Sequence, residues 1–130
     1  MIVLDASAAV EMVLGTPSGA AVTQEVRSQR LNAPHLLAVE VTQALRGMVM
    51  RGTIAEQEAV ASLADLRSLL IRRWRHEPLL ERAWELRANL TAYDAVYVAL
   101  AEALEAVLVT TDARLARAGG HDATVEVVTT

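Results

Sequence analysis

A chain of 130 residues fits one domain and can bury a sizeable apolar core without disulfides or metals as staples. It has no cysteine, which excludes a disulfide framework, a thiolate metal site and a cysteine nucleophile. Its net charge is −4, from 16 acids against 12 bases that are all arginine, which excludes lysine chemistry and argues against a broad basic face for nucleic acid.

The first apolar, β-branched run, residues 1–4, stops at Asp5 and predicts a strand buried on both faces. Asp5 also stands where the basic start of a secretory signal would be, so a cytoplasmic protein is expected. Ser7 can cap a helix over residues 8–14, which Gly15, Thr16 and Pro17 break. Ser18 can start the next helix, ending near residue 30. A short strand over residues 31–34 leads to a helix over 36–51, with Gly52 suited to end it. The segment Thr53-Ile54-Ala55-Glu56 has the form of a capping box for a helix to residue 69. Residues 70–74 predict a strand, and Pro78 suits the first turn of a helix to residue 89.

Thr91 can cap the helix that follows, to residue 104. Mean hydropathy is high at +0.28. Even so, no run reaches the roughly 18–20 apolar residues of a spanning helix. The richest stretch, residues 93–111, is interrupted by Asp94, Glu102 and Glu105. Residues 106–110 form the second clear strand, with Asp112 just past its end. A short helix over 113–118, stopped by Gly119 and Gly120, and a strand over 125–128 complete the chain. Strands alternate with helices throughout, the pattern of an α/β domain with a parallel sheet.

In such a sheet, ligands bind beyond the carboxyl ends of the strands. Asp5 and Asp112 sit there, although each taken alone is better explained as a helix cap. Asp94 lies early in a helix of Ala95, Val96, Val98, Ala99, Leu100 and Ala101. The helix dipole favours an acid in that first turn. A carboxylate buried with an apolar helix also needs a partner, which a metal ion would supply. Glu40 falls beside Leu36, Leu37 and Ala44 on an apolar helix face, with Arg46 or Arg51 as its other possible partner. Several carboxylates without cysteine favour a hard cation, Mg²⁺ or Mn²⁺, and attack on a phosphodiester is the chemistry that suits them best.

These residues match a known pattern. The opening Ile2-Val3-Leu4-Asp5-Ala6-Ser7 resembles the first strand and first acid of the PIN-domain nucleases, specifically the VapC-type toxins of bacterial toxin–antitoxin pairs. Ala38-Val39-Glu40-Val41 resembles their helix-borne glutamate, and Leu108-Val109-Thr110-Thr111-Asp112 their last acidic motif. The most specific match is Leu90 to Ala101, with its Tyr93-Asp94-Ala95-Val96-Tyr97 core. The resemblance covers essentially the whole chain. It implies a single PIN-like domain over residues 1–130, with a parallel sheet of about five strands flanked by helices on both faces. It also implies Mg²⁺-dependent RNA cleavage (Mn²⁺ substituting), a homodimer and a cognate antitoxin. Asp5 and Asp94 become the principal metal ligands, with Glu40 and Asp112 completing the catalytic acids. Ser7 and Thr111 are candidate supporting or substrate contacts, with helix capping at least as good an explanation for both. Tyr93 and Tyr97 read as core or pocket wall.

Other features stay outside this reading. His35, His76 and His121 make no zinc pattern. Arg72, Arg73 and Arg75 surround Trp74 as either an RNA-phosphate contact or a solvated strand edge. Met12, Met48 and Met50, with Val13, Leu14 and Val49, either fill the core or line a groove for a partner helix. A haloacid-dehalogenase-like phosphatase needs an Asp where Ser7 stands, and a receiver domain needs a lysine. A non-catalytic PIN-like binding module would keep the fold and lose acids, whereas all four are present.

Overall fold

A computed structural model describes residues 1–129. Its elements run β1 (Ile2–Leu4), α1 (Ala6–Leu14), α2 (Pro17–Val26), β2 (Leu31–Pro34), α3 (Leu36–Arg51) and α4 (Glu56–Ser68). Then come β3 (Ile71–Trp74), a 3-10 turn at Glu77–Leu79, α5 (Leu80–Glu85), α6 (Ala92–Leu104), β4 (Val107–Thr110), α7 (Ala113–Arg117) and β5 (Val125–Val127). The domain expected over residues 1–130 includes Thr130, which lies outside the described residues.

The strands form one parallel sheet in the order β3-β2-β1-β4-β5, as the alternating pattern implies. β1 lies at its centre, where Val3 pairs with Asn32 on one side and Leu108 on the other. The chain leaves β1 towards β2 and leaves β4 towards β5, in opposite directions, which opens a crevice beyond the carboxyl ends of β1 and β4. Asp5 and Asp112 stand on either side of it.

Ile2, Val3 and Leu4 are all buried, and successive strand residues point to opposite faces, so helices cover both faces. On one side α1 packs with α2, α3 and α4. The other layer has α5 on α6, with α6 against β1, β2 and β4. Every residue of α6 from Ala95 to Ala101 is buried, as befits a helix that is apolar all round. Between α1 and α2 the backbones nearly touch: a side chain at Gly19 would place its Cβ 1.9 Å from the Glu11 carbonyl oxygen. Only glycine fits there.

Several boundaries move for local reasons. α1 begins at Ala6 with Asp5 at its N-cap, because the Ser7 hydroxyl is turned to the Asp5 carboxylate instead of a helix end. Thr16 caps α2, accepting from the Gly19 amide at 2.9 Å, and Pro17 takes the first turn. This helix stops at Val26, and Ser28 turns the chain at φ 67°. Thr53 serves the preceding helix, donating to the Met48 carbonyl at 3.0 Å, while Glu58 accepts from the Ala55 amide at 3.3 Å. The helix expected over 78–89 is broken up. Arg87 donates to the Trp84 carbonyl at 3.0 Å and lies 4.4 Å over its ring, holding the chain in turns after Glu85.

α3 keeps its expected bounds and ends at Gly52, where φ is +77°. Its start is capped from a distance, since His76 Nε2 accepts from the Leu36 amide at 2.8 Å. Of the methionine-rich set, Val13 is buried, Met12, Leu14, Met48 and Val49 pack partly against the core, and Met50 is exposed.

Candidate active site

The best-supported carboxylate is Asp5. It is 5% exposed at the end of β1, and its own amide donates to the Val109 carbonyl of β4 at 3.0 Å. Ser7 Oγ and Thr110 Oγ1 both donate to Asp5 Oδ2, each at 2.6 Å. The two hydroxyls lie 3.0 Å apart, but each has only one proton, and Asp5 takes both. Their lone pairs are used as well: Ser7 Oγ accepts from the Thr111 amide at 3.1 Å, and Thr110 Oγ1 from the Asp112 amide at 3.0 Å. One Asp5 oxygen is thus fixed by a hydroxyl cradle that also ties β4 to β1. Oδ1 is outside that cradle.

Glu40 comes from the second turn of α3 and Asp94 from the first turn of α6, where Thr91 Oγ1 accepts from the Asp94 amide at 3.2 Å. Burial pushes the Asp94 carboxyl up from its ordinary value, and the Asp5 charge adds to this. Burial also raises Glu40, and the charges of Asp5 and Asp94 raise it further. Neither Arg46 nor Arg51 pairs with Glu40 among the described residues. The Arg51 guanidinium instead folds back beside Gly47.

Tyr97 is one turn beyond Asp94 on the same helical face and is fully buried. Among the described residues its hydroxyl has no partner in regular hydrogen-bond geometry. The Glu40 carboxylate is nonetheless near enough to act as acceptor, and this opposes the upward shift of Glu40. Burial and the surrounding acids hold the phenol well above its ordinary range, so it stays protonated as a donor.

Asp112 differs from the other three. It caps α7, accepting from the Arg114 amide at 3.0 Å, and its carboxylate is gripped by the Arg114 side chain at 2.6 Å. That pairing holds its carboxyl below the ordinary range.

Sequence reasoning singled out Ser7 and Thr111, and the structure gives them different places. Ser7 touches Asp5 directly, whereas Thr111 contributes its backbone amide. The second hydroxyl on Asp5 belongs to Thr110, which was not singled out. Alternation within β4 would have pointed to it, because Thr110 and Leu108 share the side opposite Val109. Tyr97, read as core or wall, is core by burial and faces the acids by its hydroxyl.

The profile described as PIN domain matches residues 2–121. The chain belongs to the PIN-domain family. Within this family, Ribonuclease VapC12 of Mycobacterium tuberculosis is 47% identical over 128 residues, covering 98% of this chain and 99% of that one. A solved PIN-like neighbour, Mycobacterium tuberculosis VapC20, described as a sarcin-ricin loop cleaving toxin, has a TM-score of 0.67 at 18% identity. Its match covers 90% of this chain and 94% of that one. VapBC2 from Rickettsia felis, solved with a DNA fragment from its promoter, has a TM-score of 0.70 at 15% identity, covering 99% and 100%. At those identities the two structures show a shared fold.

A PIN domain implies a divalent cation. Among the described residues, no three acid or histidine side chains already stand in ligand geometry. The donors fit such an ion all the same. They are hard carboxylate oxygens, and Asp5, Glu40 and Asp94 repel one another. A cation among them would relieve that repulsion.

Proposed function

We propose that this PIN domain is the endoribonuclease toxin of a toxin–antitoxin pair, acting in the cytoplasm on RNA phosphodiester bonds with Mg²⁺, or Mn²⁺ in its place. The observation that carries this is the like-charged neighbourhood of Asp5, Glu40 and Asp94 beyond the ends of β1 and β4. The whole-length likeness to a protein named as a ribonuclease supports it.

Asp5 and Asp94 are the principal ligands in this reading, with Glu40 and Asp112 completing the acidic set. A divalent cation held by these carboxylates would supply Lewis-acid chemistry, polarising a phosphoryl oxygen and lowering the pKa of a water. Ser7 and Thr110 hold Asp5 Oδ2, so that Oδ1 faces one direction. Glu40, its carboxyl raised by burial, takes a proton from the attacking water, and the Tyr97 hydroxyl orients it. Water oxygen bonds to phosphorus and the bond to the 3′-oxygen breaks. The leaving oxygen gains a proton from solvent, giving a 5′-phosphate and a 3′-hydroxyl. Met50, Val39 and Tyr93, all exposed, are available to a second copy and to an antitoxin segment.

The test is cleavage of a short RNA panel by the wild-type protein and by Asp5→Asn, with chelator controls. Cleavage by the wild type alone, stopped by EDTA, is the expected result. Full activity in a folded Asp5→Asn protein would refute the scheme, and RNA bound but never cut would favour a binding module.

A further inference from the structure

Arg114 combines two properties that usually exclude each other. Its side chain is 77% exposed, yet its guanidinium is fixed on one partner. Nε lies 3.1 and 3.2 Å from the two Asp112 oxygens, and Nη2 lies 2.6 Å from Oδ2. The Asp112 amide donates to the same Thr110 hydroxyl that holds Asp5, so the Arg114–Asp112 pair lies beside the acidic site, and the Arg114 charge acts on Asp94 and Asp5. Arg117 acts on Asp112 as well, and more weakly.

A phosphodiester approaching Asp5, Glu40 and Asp94 meets negative potential, and this chain has no lysine to offset it. We propose that Arg114 is a phosphate-binding residue of this site, held on Asp112 in the free protein and transferred to a backbone phosphate when RNA enters. This rests on the ribonuclease reading above. A guanidinium carries five N–H donors in a planar fork that matches phosphate oxygens. Those on Nη1 are outside the Asp112 contacts, so an RNA phosphate can be engaged before Asp112 is released. Rotation of so exposed a side chain disturbs no packing. The cap on α7 survives the exchange, since the Arg114 amide donates it.

The test is binding of a fluorescein-labelled single-stranded oligoribonucleotide in EDTA, where nothing is cut, across a NaCl series. Arg114→Ala is expected to weaken binding by up to about fivefold, the range of an exposed ion pair. It should also lower the slope of log K against log salt by about 0.7, one phosphate contact on a single strand. Asp112→Asn, which frees the guanidinium, is expected to tighten binding, and Asp112→Asn/Arg114→Ala to lose that gain. A thermal melt checks that each variant is folded. Unchanged affinity and slope in Arg114→Ala overturns the proposal, and so does a gain that persists in the double variant. If the wild type cuts RNA and Arg114→Ala binds it unchanged, only this inference fails. If the wild type neither binds nor cuts RNA, the ribonuclease reading fails with it.

Discussion

Asp94 and Glu102 occupy the first and last turns of α6, roughly 12 Å apart along its axis. Glu102 accepts from Arg82 at 2.8 and 3.0 Å and from the Asp122 amide at 2.8 Å. Its carboxyl is held below the ordinary range, mainly by the Arg82 contact. Arg82 also reaches the Gly120 carbonyl at 3.3 Å, and Asn89 the Gly119 carbonyl at 3.0 Å, so this end of the helix ties down the segment that leads to β5. Asp94 has no arginine in a salt bridge among the described residues, and burial and the Asp5 charge push its carboxyl up against the smaller opposing effects of Arg114 and Thr91. One helix thus carries a satisfied acid that holds the chain together and a frustrated acid at the candidate site. Cavity size does not distinguish them usefully. A cavity of about 680 Å³ opens beside Glu102, and none of Asp5, Glu40, Asp94 or Asp112 lines it.

Exchanging each acid for its amide tests the contrast directly. Asp94→Asn should cut RNA cleavage by about 10²–10⁴-fold, whereas Glu102→Gln should leave it unchanged in a gel-based assay. Equal losses in both would mean that the two ends do not differ in function. Thr110→Val keeps the shape of the side chain and removes the hydroxyl on Asp5. Cleavage should fall roughly 10–100-fold, the usual effect of losing a group that orients a metal-binding residue. Urea unfolding of that variant should show a loss of about 1–3 kcal/mol, because the Asp112 amide also loses its acceptor.

The stability effect should run the other way at the two ends of α6. Glu102→Gln should lower unfolding stability by about 1–2 kcal/mol, discounted because Arg82 keeps solvent contact. Asp94→Asn should raise it at neutral pH by up to about 1 kcal/mol. A carboxyl raised in the folded protein favours folding fully below its ordinary pKa of 3.8 and loses that contribution as pH rises through the folded value. The Asn variant should therefore gain over wild type at neutral pH and lose the advantage in acid. Thermal melts from pH 3 to pH 8 check this, and a gain that grew in acid would reverse the assignment.

The sequence by itself determined what is local. Apolar runs ending at acids marked β1 and β4, Gly52 marked the end of α3, and Thr91 marked the start of α6. The four acids and their strand-end or apolar-helix settings were legible for the same reason. Only the tertiary structure decided which strands are neighbours, because periodicity encodes a buried face and not the strand beside it. With β4 against β1, Thr110 reaches Asp5 across 105 residues of chain, while Thr111 turns its amide to Ser7. The same packing brings His76 to the start of α3 and the Tyr97 hydroxyl towards Glu40. It also left Asp94 without the partner that Glu102 has, since nothing in the run of α6 says which arginine, if any, will fold against either end.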